Sequence, residues 1–159
     1  MVEAKRLTAE ALGITQVEHD ALIAFRDEVL PTLVHDADQI IPQGEAIDGK
    51  TKGLNMSIVL NKAECGTTAC IAGWMHVIMT EKGVAPQGNA FQYGMYERSR
   101  PLGSLFCPFT DSNGNFLVDA HGLEIDVPYE IIDTDVVKGA IDNFLTTGDP
   151  DYQSLIDVY

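Results

Sequence analysis

The chain has 159 residues, 45% of them hydrophobic and 21% charged, with a formal net charge of −14. One domain spanning residues 1–159 can bury roughly 70% of its unfolded surface, so it needs no disulfide or metal to close, and its composition excludes a disordered chain. No apolar run approaches the ~18 residues of a membrane helix, and the negative charge excludes nucleic acid and anionic membranes as partners by repulsion.

The spacing predicts a first amphipathic helix over 16–30. Val17, Ala21, Ala24 and Phe25 recur at three and four residues, and Thr15 with Glu18 has the capping-box spacing. Pro31 ends that helix near Leu30, because the residue before proline avoids the α region. From Asp36 to Glu64 the periodicity dissolves among Pro42, Gly44, Gly49 and Gly53, and only 56–60 has the apolar content of a short strand or helical turn.

A second helix is predicted over 67–82, capped by Thr67 or Thr68 and stopped by Gly83. Its residues Ala69 to Met79 are apolar around nearly the whole circumference, which makes it the buried central helix of the core. Gly73 inside it costs about 1 kcal/mol against alanine, and close approach of another backbone is the expected return. Residues 84–106 are not assigned; Phe91, Tyr93, Met95 and Tyr96 supply aromatic and sulfur bulk there, and Pro101 opens one more short turn. Asn113-Gly114 between Phe109 and Phe116-Leu117-Val118 predicts a β-hairpin. The last helix covers 134–147, with Asp133 or Thr134 as cap, an apolar stripe from Val136 to Leu145, and Gly148 and Pro150 as stops. The expected fold is therefore mainly α, a compact helical domain around one buried central helix with a minor β-hairpin.

Three cysteines, Cys65, Cys70 and Cys107, cannot all pair in one chain. With no apolar stretch after Lys5-Arg6 to act as a leader, a cytoplasmic protein with reduced thiols is expected. Residues 111–159 hold eleven acidic side chains against Lys138 alone. That acidic C-terminal third is a solvated face or a docking surface for a basic protein partner.

The run Cys65-Gly66-Thr67-Thr68-Ala69-Cys70-Ile71-Ala72-Gly73-Trp74 resembles the signature of a family of small uncharacterised bacterial and phage-encoded proteins. Asn55-Met56, Leu105-Phe106-Cys107-Pro108 and Phe144-Leu145-Thr146-Thr147-Gly148 match its other blocks in order. Asp133-Thr134-Asp135 departs from the Thr-Pro-Glu with which such a last helix often opens, and the turn around Asn113 is longer. The resemblance implies a shared fold and no activity, cofactor or partner.

A zinc site of Cys65, Cys70, His76 and Cys107 is rejected, since residues six apart on a helix diverge by about 120°. Cys70 reads instead as a small core residue one turn from Trp74. Asp111 to Asn115 fails the calcium-loop pattern, because Phe116 stands where glycine is required and Gly122 where glutamate is. Arg98 and Arg100, beside Tyr93 and Tyr96, are a surface pair or a meeting point for an anion. His19, His35 and His76 have no partner that the sequence identifies. One catalytic constellation remains: Cys65 before a helix start as a thiolate nucleophile, His121 as base, and Asp126 or Asp119 to orient it. The expected function is a non-enzymatic interaction or accessory protein without metal or cofactor, and the alternative is a cysteine-dependent hydrolase using Cys65, His121 and Asp126.

Overall fold

The computed structural model describes residues 5–38, 52–63, 66–86, 88–111, 115–125 and 127–156, and of 61–63 and 66 the backbone alone. Within them the protein is mainly α with a minor β part. No described helix is long and apolar enough to cross a membrane.

Local chemistry places the helices. After a first turn α1 (Ala9–Leu12), helix α2 (Gln16–Ala24) opens on the expected capping box: Thr15 Oγ1 accepts the Glu18 N–H and Glu18 Oε1 accepts the Thr15 N–H, both at 3.1 Å. The predicted helix does reach Leu30, but its second half changes pitch. Phe25–Val29 forms a wide turn in which Leu30 N–H reaches back to Phe25 C=O, and Leu30–Thr32 tightens into a 3₁₀ turn. Pro31 offers no N–H to the preceding turn and its ring crowds the carbonyl four residues back, so regular α geometry cannot run through it. Helix α6 (Thr134–Thr147) has the predicted bounds: Asp133 caps it at 2.9 Å from Val136 N, and Gly148 ends it at φ 85°. It buries Val137, Ala140, Ile141, Phe144 and Leu145.

The second helix starts later than predicted. Helix α3 runs Ile71–Glu81 with Cys70, not Thr67 or Thr68, at its N-cap. The two threonines lie instead in an extended strand, and Thr68 sends its hydroxyl to Asp36 Oδ2 at 2.7 Å. A tertiary acceptor thus outcompetes the local cap. Seven residues of α3 are buried, including Ile71, Trp74 and Met75, while His76 and Val77 are half-buried and Thr80 and Glu81 exposed. The helix packs on α2, on strand β4 (Gly66–Ala69) and on the short helices α4 (Ala90–Gln92) and α5 (Gly103–Phe106).

A four-stranded sheet is the main departure from the expected architecture. Strands β1 (Val34–His35), β2 (Lys52–Leu54) and β4 (Gly66–Ala69) pair in parallel, and β3 (Leu60–Ala63) joins β4 antiparallel, giving the order β1-β2-β4-β3. Leu54 stands opposite Ala69, and Leu60 opposite Ala69 on the other side. Of the predicted hairpin, residues 112–114 lie outside the described residues, but its arms do pair. Thr110 bridges Phe116, and Val118 bridges Glu124, so segments 109–111, 115–119 and 123–125 form a small antiparallel meander. A short helix α7 (Tyr152–Leu155) closes the chain against α6.

Candidate functional site

From Cys70 to Trp74 the cysteine motif is packing chemistry. Cys70 is 5% exposed, and burial pushes its thiol up to about 11 although the Gly73 and Ala72 N–H groups pull the other way. Desolvation therefore beats the helix terminus at the residue that actually caps the helix. Gly73 is required by contact: a Cβ there would lie 1.6 Å from the Val59 carbonyl oxygen, the close backbone approach expected of it. Trp74, 2% exposed, donates its indole N–H to Gly53 C=O at 3.0 Å, tying α3 to β2. The Lys52 ammonium sits 5.9 Å from the center of the same ring.

The proposed nucleophilic constellation is not brought together among the described residues. Cys65 and Asp126 lie outside them. The premise that residue 65 directly precedes a helix is corrected, because strand β4 intervenes before α3 begins at Ile71. His121 is exposed on a turn, and Asp119 Oδ1 accepts the backbone N–H groups of His121 and Leu123 at 2.8 and 3.1 Å. Asp119 therefore holds the turn rather than the imidazole. The other histidines have separate fates. The Nε2 atoms of His19 and His35 meet the carbonyls of Leu7 and Glu130, and His76 Nε2 is buried with no hydrogen-bond partner among the described residues. Nor does any group of three or more His, Cys, Asp or Glu side chains there stand ready to hold a metal ion.

Two buried polar networks are structural joints. The Glu18 carboxylate, 4% exposed, accepts from Tyr93 Oη at 2.8 Å, Ser99 N at 2.9 Å, Ser99 Oγ and Thr15 N. Burial alone would raise its pKa, but the hydrogen bonds from Ser99, Thr15 and Tyr93 outweigh it and hold the carboxyl below its ordinary value. At the ends of β1 and β2, Asp36 accepts from Thr68, and Asn55 donates to the Asp36 carbonyl while accepting from Ser57. Of the two arginines, Arg100 is exposed; Arg98 is half-buried against Gly103, its Nε without a hydrogen-bond partner.

The surface feature that stands out is the meander. Its inner face carries Phe109, Leu117 and Ile125 into the core. Its outer face presents Phe116 at 55% exposure and Val118 at 53%, where a half-solvated antiparallel segment normally carries polar side chains. Glu124 pairs with Val118, and Asp111 and Asp119 lie on the same segments, in the third of the chain that holds eleven acids and one base. The signal visible in the sequence is three apolar residues in a row, Phe116-Leu117-Val118, beside the Asn113-Gly114 turn.

Two cavities border the C-terminal region. One of about 250 Å³ lies between Leu30, Pro31 and Leu33 and the first turns of α6. Its Arg26 is already forked onto Asp142 at 2.8 and 3.0 Å, and Lys138 opposes Asp135, so it offers a guest no single sign of charge. The other, of about 60 Å³, shares Phe109, Thr110 and Leu117 with the meander. No protein-family model, no curated protein and no solved structure matches this chain.

Proposed function

We propose that this is a non-enzymatic interaction protein that docks a basic protein partner on its acidic C-terminal third. The observation that carries the reading is the outward pair Phe116 and Val118. Exposed apolar side chains on a paired β surface are tolerated where a partner covers them, and the carboxylates around them select a partner of opposite sign. The same carboxylates keep the uncovered face soluble.

The test is selection of random displayed peptides on the full chain. Enriched peptides should combine lysine or arginine with apolar residues and lose affinity as salt rises. They should also lose it against the folded Phe116→Ser/Val118→Ser variant. Enrichment of acidic or neutral peptides, or binding indifferent to that variant, overturns the reading.

A further inference from the structure

The acidic, apolar face continues into the smaller cavity, and we propose that this cavity receives one lysine side chain of the basic partner. The inference rests on the docking reading above. Leu117 joins the two features: its neighbors Phe116 and Val118 point out from the meander, while Leu117 itself lines the cavity beside Phe109, Thr110 and Tyr152. Asp149 and Asp151 stand at the rim, both exposed.

The chemistry of the walls selects the guest. The hydroxyls of Ser104, Thr110 and Tyr152 already donate to the carbonyls of Pro101, Cys107 and Leu105. Their oxygens are left to accept, as are the rim carboxylates. Neither aspartate is ion-paired among the described residues, and Asp149 Oδ1 takes only the Asp151 N–H, at 3.0 Å. An anion meets the negative charge of the rim here, and a cationic donor meets its carboxylates, with the Gln153 side chain also in the wall. Phe109, Leu117 and Tyr152 give apolar wall for the methylene stem that follows the ammonium in. A volume of about 60 Å³ favors the compact ammonium over the broad planar guanidinium. Phe109 at φ 64° and Asp151 at φ 50°, the described non-glycine residues in the left-handed region, both line the cavity.

The probe is a fluorescent short peptide of alternating lysine and valine, titrated by anisotropy into the full chain at low salt. The Asp149→Asn/Asp151→Asn variant keeps the fold, since asparagine still accepts the Asp151 N–H and tolerates the left-handed region. It should weaken binding about tenfold, whereas Glu10→Gln/Glu28→Gln, an equal charge change elsewhere, should weaken it by less than about twofold. Replacing lysine by norleucine in the peptide should abolish the difference between the variants. Equal weakening by both acidic pairs would reduce the effect to net charge and overturn the lysine site. Binding unchanged by the Asp149/Asp151 pair but lost in Phe116→Ser/Val118→Ser overturns the site and leaves the docking face standing. Absence of binding to the wild-type chain removes both.

Discussion

Trp74 and Gly73 sit side by side on α3 and are held by opposite means. The indole fills the core and spends its N–H on the Gly53 carbonyl, so Trp74→Ala should cost about 3–5 kcal/mol in urea unfolding. Trp74→Phe keeps much of the apolar contact and loses the indole's hydrogen bond, while the Gly53 carbonyl stays within the β2–β4 ladder, so about 0.5–1.5 kcal/mol is expected. Gly73 contributes by what it lacks. Its missing Cβ is the space that Val59 O occupies, so Gly73→Ala must push two backbones apart, at about 3 kcal/mol or more. A Gly73→Ala melt within error of wild type would mean the Val59–α3 contact is looser than this geometry. Cys70 supplies a chemical check on the same neighborhood. Buried, with its thiol pushed up to about 11, it should alkylate at neutral pH only when the protein unfolds, which mass mapping of time points under native conditions reads directly.

At the scale of elements, what was legible was local. Helix α6 could be read to its ends because cap, stripe and stop lie within a single run of sequence, from Asp133 to Pro150. Removing the cap with Asp133→Ala should cost about 1 kcal/mol, visible as a lower denaturation midpoint with unchanged slope. The sheet was not legible, for a physical reason. Strands of two to four residues are too short for an alternating pattern to declare itself. Thr67-Thr68 is equally good as a helix cap and as a β-branched strand pair, and the choice is made by Asp36, 32 residues away in sequence. The candidate site divides in the same manner. Its charge was readable from composition, while the outward turn of Phe116 and Val118 depends on pairing with Thr110 and Glu124, which no local window contains.

Over the whole molecule, charge and burial pull against each other as pH falls, and the balance is testable. At neutral pH the formal charge of −14 disfavors the compact state by self-repulsion, and the described ion pairs, the exposed Arg6–Asp27 and Arg26–Asp27 and the part-buried, forked Arg26–Asp142, offset only part of it. Acidification toward the isoelectric region near 4.4 removes that repulsion, as does added salt, so stability should first rise from pH 7 downward. Glu18 opposes the trend. Its folded pKa lies below the ordinary 4.5, so the unfolded chain takes up the proton first as pH falls. The stability it contributes is complete above that value and drains away as pH drops through the folded pKa. The loss is structural, because the protonated carboxyl can no longer accept from Tyr93, Ser99 and Thr15 together. Urea midpoints measured from pH 7 to about 3.5 should therefore pass through a maximum above 4.5 and then fall steeply. Glu18→Gln should be about 2–3 kcal/mol less stable at pH 7, since an amide satisfies fewer of those donors. It should also lack most of the steep acid limb while keeping the gentle rise. An acid limb of undiminished slope in Glu18→Gln would assign the acid sensitivity to other carboxylates and take from Glu18 its place as the joint between α2 and residues 93–99.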